Sequence, residues 1–285
     1  MARITMSVWV AVILLGMLAS SLPTDHDLAT RVEDALRASL HPRLVHVTLD
    51  RRSPLTTTVD RMTIRVEEVT AATLPFSFTA PTVPVTATPA PVAPAPALRP
   101  VAKPAREVLI RTLTLDGRRL ILKGVPIEEM RWELHDVRVP TAALKTANLR
   151  IAGMRSAVGT LVFTEAGVTQ CLATRKMPLT EPHVRLTRDG CTVAGRTRGI
   201  VALPVEVTGR LVPAPHARLL WHEPQARVGN VAMPTWLTDS SLSQLNPLVD
   251  INALITLPAP LVIHKVIHEE GRVRLEVSLH FPDQE

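Results

Sequence analysis

The chain has 285 residues, 46 % of them hydrophobic but only 3 % aromatic, with no Tyr and a formal net charge of +6. That length supports one large domain or two small ones with a sizeable core, and an apolar content made of Ala, Val, Leu and Ile suits strands and aliphatic linings. It disfavours functions that need many rings, such as sugar platforms or faces that stack single-stranded nucleic acid. The basic residues are spread along strands and form no run, so they read first as a solvated face, then as an attraction to anionic headgroups, with nucleic acid last.

Met1 to Ser21 reads as a targeting segment: Arg3, an apolar run from Met6 to Leu18, then Ala19-Ser20-Ser21 as a small-residue cleavage region. The run is short for a transmembrane helix and suits a signal peptide, with an uncleaved N-terminal anchor as the alternative. Either reading places residues 22–285 outside the cytoplasm as a single domain, in the periplasm or envelope, secreted, or tethered by that segment. Thr24 to Leu40 predicts a helix, capped by Thr24 or Asp25, with Leu28, Val32, Ala35, Leu36 and Leu40 as one apolar stripe.

Strands follow at Arg43–Asp50 and Arg61–Val69, the second alternating Met62, Ile64 and Val66 with Arg61, Arg65 and Glu67. Residues 79–104, TAPTVPVTATPAPVAPAPALRPVAKP, are dense in Pro and Ala and predict an extended, disordered loop inside one domain. Val108–Leu115, Arg119–Lys123 and Met130–Val139 continue the strands, with Asp116-Gly117 as a hairpin turn. Asn148–Ile151 and Val158–Phe163 lead to a short helix over Thr164–Thr174. Val184–Thr187 and Cys191–Gly195 flank a turn at Asp189-Gly190. Ile200–Leu211, broken by Pro204, predicts an edge strand or a bulge. Ala217–His222 and Val228–Met233 precede a helical patch from Trp236 to Leu245 that ends at Asn246-Pro247.

The closing stretch is the clearest. Val273, Leu275, Val277, Leu279 and Phe281 alternate with Arg272, Arg274, Glu276, Ser278 and His280. This predicts one dry and one wet face. Leu261 to His268 predicts its hairpin partner through Glu270-Gly271, with Leu261, Ile263 and Ile267 on one side. The whole reads as an α+β fold with largely antiparallel sheet.

Catalytic patterns are absent: there is no Walker loop, GxGxxG, GxSxG, HExxH or EF-hand. His264, His268, Glu269 and Glu270 resemble a metal set, but on a strand the two imidazoles stand roughly 13 Å apart on one face, and solvated histidines are the better reading. Asp239-Ser240-Ser241 reads as a helix cap rather than triad material. Cys171 and Cys191 form no CxxC pair, which removes zinc and thioredoxin-like chemistry. They read either as one disulfide of an exported protein or as two small buried residues. No enzyme, metal or cofactor is expected.

Five stretches and the chain's closing strand together resemble the LmeA-like family of exported bacterial phospholipid-binding proteins. They are LTTTVDRMTIRVEEV (Leu55–Val69), LILKGVPIEEMRWELHDVRV (Leu120–Val139), VFTEAGVTQCLA (Val162–Ala173), PVEVTGRLVPA (Pro204–Ala214) and LSQLNPLVDINAL (Leu242–Leu254), followed by EGRVRLEVS. The Pro/Ala loop departs from the family, whose members connect those strands more briefly. The resemblance implies phospholipid binding in the cell envelope without catalysis. It also implies a tubular architecture similar to the TULIP superfamily, with a curved sheet wrapped around an amphipathic helix. At the family-like helices it points to Phe163, Val168, Leu172, Trp236, Leu237, Leu245 and Leu248 as lining for acyl chains, each of which also reads as ordinary core. The expected partners are a phospholipid or other acyl lipid and the membrane surface, with no nucleic acid. The competing reading is an envelope assembly protein with a closed core that binds a protein partner.

Overall fold

A computed structural model describes residues 25–40, 42–51, 57–71, 76–78, 107–140, 149–173, 179–198, 202–229, 231–233, 246–254 and 259–279. Its longest element is a hairpin of two 16-residue strands, β5 (Glu107–Leu122) and β6 (Val125–Pro140), numbered here in chain order. The turn is Lys123-Gly124, with both residues at positive φ (48° and 82°) as a type I′ turn requires. The strand runs straight through Asp116-Gly117, so the hairpin expected there is not formed. Gly117 instead gives room to Leu120, whose Cδ1 would lie 2.8 Å from an added Cβ.

The large sheet has the order β1 (Leu44–Asp50), β2 (Thr58–Glu67), β5, β6, β8 (Ser156–Thr164), β16 (Arg272–Leu279) and β15 (Leu261–Glu269), with β3 (Thr70–Ala71) also on β5. The smaller sheet runs β13 (Val231–Ala232), β12 (Arg218–Val228), β11 (Pro204–Ala214), β10 (Gly190–Thr197), β9 (Leu179–Thr187), and β14 (Val249–Asp250) joins β12. A short pair, β4 (Phe76–Phe78) with β7 (Leu149–Ile151), stands apart. Pairing is antiparallel except for β2–β5, β3–β5 and β4–β7. The helices are α1 (Asp25–Leu40), α2 (Glu165–Ala173) and the single turn α3 (Ile251–Leu254). This is the expected β-rich α+β fold. Among the described residues the large sheet has two ends, β1 and β15, and does not close on itself.

Helix α1 buries Leu28, Val32 and Leu36 as its sequence predicts, and it packs on β1 at the end of the large sheet. An edge strand offers unpaired amides. Glu33 meets one of them: the Val47 N–H donates to Glu33 Oε1 at 2.9 Å. Arg51, at the end of β1, is ion-paired to Asp25 at 3.0 Å, which ties the helix start to the strand end.

The alternation of β5 and β6 slips twice. Burial in β5 passes from Val108 and Ile110 to Leu113, Leu115 and Gly117, then to Leu120 and Leu122. In β6 it passes from Val125 and Ile127 to Met130, Trp132 and Leu134, then to Val137 and Val139. The register between the strands is unbroken, so both slip together. At each slip one strand holds a non-glycine residue at positive φ, Arg119 (52°) or Asp136 (53°). Such a residue costs about 1 kcal/mol or more and locally reverses the pleat. Ion pairs cross the same rows: Arg111 to Asp60 at 3.6 Å and Asp136 to Arg155 at 3.7 Å in one, and Arg119 to Glu67 and Glu68 at 3.3 and 3.0 Å in the other.

Three further expectations are corrected. β11 is not an edge strand: it lies between β10 and β12, and Pro204 is its first residue, where a missing amide donor does least harm. Its register does shift, between Thr208 and Arg210. In β15 the register shifts between Ile263 and Lys265. Leu261 and Ile263 keep the dry face, but beyond the shift Val266 and His268 stand opposite the buried Leu275 and Val273, and Ile267 stands opposite Arg274. His264 and His268 therefore do not share a face. The last strand behaves as read: Val273, Leu275, Val277 and Leu279 are buried. Phe281, the targeting segment, the Pro/Ala loop and the Trp236–Leu245 patch lie outside the described residues.

Candidate functional site

The two sheets meet around α2, which contacts β6, β8, β9 and β14. The sequence Thr164-Glu165-Ala166-Gly167 builds this joint. Thr164 caps the helix, its Oγ1 accepting the Gly167 N–H at 3.3 Å. Gly167 is required by contact, because a Cβ would come within 2.4 Å of the Pro126 carbonyl oxygen on β6. Glu165 sits in the first turn, where the helix dipole favours a carboxylate, and its Oε1 accepts the Leu186 N–H of β9 at 2.8 Å. Thr169 Oγ1 accepts the Val184 N–H at 3.1 Å. The helix thus takes two amides of the smaller sheet while its apolar side packs on the larger one.

The closing hairpin completes the clasp. Gly271 N–H donates to the Leu186 carbonyl at 2.9 Å, and the Glu165 N–H donates to the Gly271 carbonyl at 3.3 Å. The Leu211 N–H of β11 donates to His268 Nε2 at 3.1 Å. Burial, and then the nearby Arg210 charge, hold the His268 pKa below its ordinary 6.5, which keeps the ring neutral and able to accept. His264 is exposed, with Nε2 2.7 Å from Ser278 Oγ. Among the described residues no group of three or more His, Cys, Asp or Glu is placed to hold a metal ion.

Of the residues nominated from sequence, Phe163 ends β8, Val168 and Leu172 lie on α2, and Leu248 precedes β14. The first three are 0 % exposed and Leu248 is 1 % exposed. They belong to one core cluster that runs through both sheets. Trp236, Leu237 and Leu245 lie outside the described residues. Cys171 and Cys191 are both buried, and neither is in a disulfide. Burial, with a smaller contribution from the Glu165 carboxylate, pushes the Cys191 thiol up to about 12. The Asn246-Pro247-Leu248 turn is structural: Asn246 Oδ1 accepts the Trp221 N–H at 3.2 Å, and the Leu248 N–H donates to the Leu219 carbonyl at 2.8 Å.

Sequence reasoning passed over the pins of the joint, Glu165, Thr169, Gly271 and His268. The Thr-Glu step before an apolar helix was a signal for Glu165; nothing local marks His268. A cleft of about 740 Å³ was also unforeseen. It is lined by Leu109 and Met154 together with Glu107, Asp136, Arg138 and Arg155. It lies at the Arg138 end of β6, whereas α2 packs on the Pro126 end, roughly 40 Å away along the strand. The cleft and the nominated residues are therefore not one site.

Comparison with family models matches residues 109–278 to LmeA-like phospholipid-binding, from β5 through the joint to β16. The chain belongs to this family. No curated protein and no solved structure matches the chain. As an LmeA-like protein it has a lipid-binding, non-enzymatic role, and its partner class is phospholipid. The LmeA-like family is typically exported and associated with the cell envelope. Among the described residues no helix is long and apolar enough to cross a membrane.

Proposed function

We propose that this LmeA-like protein is an exported phospholipid carrier of the bacterial envelope, directed there by Met1–Ser21. Residues 22–285 act as one domain, and acyl chains lie against aliphatic side chains between the two sheets. The observation that supports this reading is the joint itself. Phe163, Val168, Leu172 and Leu248 belong to one core cluster where α2 touches both sheets, and among the described residues the polar contacts of α2 with the smaller sheet are amide pins. Each buried methylene contributes about 0.8 kcal/mol, so two ordinary acyl chains bind tightly without specific polar contacts. The same reading assigns Trp236, Leu237 and Leu245 to this lining by sequence alone. Because the described lining residues are fully buried, a lipid reaches them only as the sheets part at α2. A tubular wrap around the bound chains is the form that parting takes.

One observation favours a second reading. A core with Phe163, Val168 and Leu172 at 0 % exposure also suits an envelope protein that holds no lipid and binds a protein partner. Native mass spectrometry of the purified protein, followed by organic extraction, separates the two. A co-purifying phospholipid that added lipid displaces supports the carrier. A mass that stays that of the bare chain after incubation with anionic and zwitterionic vesicles sinks it in favour of the closed core.

A further inference from the structure

We infer that the closing hairpin is an acid-released latch between the two sheets, with His268 as the pin that a proton withdraws. The latch fills a gap in the smaller sheet. β10 pairs with β11 only as far as Cys191 opposite Gly209, so from Arg210 to Ala214 β11 is paired on one side alone, by β12. Trp221 of β12 stands opposite Leu211 but gives its N–H to Asn246, so this pair is a non-hydrogen-bonded one and the Leu211 N–H points away from β12. β15 packs against β11, and its His268 Nε2 accepts that N–H at 3.1 Å. The hairpin turn makes a second hold, the Gly271 N–H on the Leu186 carbonyl of β9 at 2.9 Å. Two strands of the smaller sheet are thus held by one hairpin of the larger.

Of the acceptors that pin the joint, imidazole is the one whose charge changes at mildly acidic pH; the others are backbone carbonyls, the Thr169 hydroxyl and the Glu165 carboxylate. The neutral ring accepts the Leu211 N–H, whereas imidazolium carries a hydrogen on both nitrogens and accepts nothing. Protonation therefore sets donor against donor. While the latch is closed, burial and then the Arg210 charge hold the His268 pKa below 6.5. Once the hairpin lifts, water relieves both effects and the ring takes its proton more readily, so acid favours the open form. The surrounding charges do not cancel this. On β11 the neighbour is Arg210, with His222 of β12 opposite it. On β16 the residue opposite His268 is Val273, and the flanking Arg272 and Arg274 are both hydrogen-bonded to Glu269. On β9 and in the turn after it, Arg185, Arg188 and Asp189 are exposed, as is Glu270 in the hairpin turn. Among the described residues no carboxylate is ion-paired with His268. The latch deepens the carrier reading, on which it rests for its purpose, by naming what lets the sheets part.

Amide hydrogen exchange of the purified protein tests the latch, at about pH 7.5 and about pH 5.5, with each rate divided by the intrinsic rate at that pH. The Leu211 N–H reports the pin. The Val184 N–H, whose acceptor is the Thr169 hydroxyl, reports the joint. Protection of both should fall about fivefold on acidification, the equivalent of one net hydrogen bond, while amides shared by β5 and β6 keep theirs. In His268→Gln, whose amide oxygen still accepts, the acid loss should vanish at both positions. In Arg210→Gln, a change at an exposed side chain, it should shrink only in part, because burial is the larger cause of the lowered pKa. A Val184 N–H that keeps its protection while that of Leu211 falls reduces His268 to a lone hydrogen bond and overturns the latch. An acid loss of equal size in wild type, His268→Gln and Arg210→Gln overturns it too. Phospholipid extracted from the same samples separates the latch from the carrier reading. Acid opening in a chain that holds no lipid keeps the latch and removes the carrier; bound lipid with protection unchanged by acid does the reverse.

Discussion

The two sheets pair their charges to different extents. The large one neutralises itself across strands, with Arg65 to Asp116 at 3.6 Å, Arg119 to Glu67 and Glu68, and Arg274 to Glu269 at 3.0 Å. In the smaller one, among the described residues, Arg218 pairs with Asp250 at 3.7 Å, while Arg196, Arg198 and Arg227 make no ion pair, as Arg61, Arg118, Arg131 and Arg138 make none in the large one. Exposed pairs add little stability each, so the difference concerns field rather than strength. Arginines without an ion pair stand on both sheets, and what sets the large one apart is its set of cross-strand ion pairs.

That contrast is sharpest if the sheets form one cooperative unit, which the joint decides. Phe163→Ala removes a side chain at 0 % exposure and should destabilise by about 4 kcal/mol. In calorimetry a single transition should move to lower temperature; two resolved transitions would show that the sheets melt separately. The next effect compares the sheets directly, because each lays a tryptophan over a glycine. An added Cβ at Gly159 would lie 2.6 Å from Trp132 Cε3 and 2.8 Å from the Arg131 carbonyl, and at Gly209 it would lie 2.9 Å from Trp221 Cε3 and 3.1 Å from the His222 carbonyl. Gly159→Ala should therefore cost about 3 kcal/mol and Gly209→Ala about 1 to 2 kcal/mol by urea denaturation. Equal costs would mean that the smaller sheet packs as rigidly as the larger.

A smaller effect is pH-dependent. The folded pKa of His268 lies below 6.5, so the stability this group contributes is present above that value and is lost as pH falls below it, where the unfolded chain takes up the proton first. Protonation also removes the acceptor for the Leu211 N–H. The urea midpoint should fall on acidification by the equivalent of up to about 1 kcal/mol, the size of one hydrogen bond. In His268→Gln, whose amide oxygen still accepts, this acid-dependent loss should shrink. The smallest change is a gain. Lys123 sits at φ 48° ahead of Gly124, and Lys123→Asn should stabilise the large hairpin by about 0.5 to 1 kcal/mol.

Much of this fold was legible because its strands and α1 follow simple periods. β16 and the helix stripe of Leu28, Val32 and Leu36 appear as read, and the Thr-Glu step marks the start of α2. What failed did so where the period slips. β5 reads as two strands because burial changes parity after Gly117, and Asp-Gly there carries a turn signal that the continuous pairing to Leu122 overrides. Arg119 gives no hint of a left-handed backbone, since arginine has no local reason to adopt one. Ile267 reads as core because nothing in IHKVIH announces the extra residue that turns Val266 and His268 toward Leu275 and Val273. At the candidate site the family resemblance nominated Phe163, Val168, Leu172 and Leu248, and the structure places all four in the buried core around α2.

The pairing of β8 with β16 bears on the order in which the molecule forms. Phe163 faces Val273 and Leu161 faces Leu275, across a long separation in sequence. Contacts of that kind form late, because a large loop must close before they are rewarded. Until Arg272–Leu279 arrives, β8 has β6 on one side only, and its other side is an open edge bearing Leu161, Val162 and Phe163. A chain interrupted ahead of Leu261 keeps that edge, which is a template for pairing with a second copy. Completion of this fold thus waits on its last hairpin, and a chain that lacks it is expected to self-associate along β8.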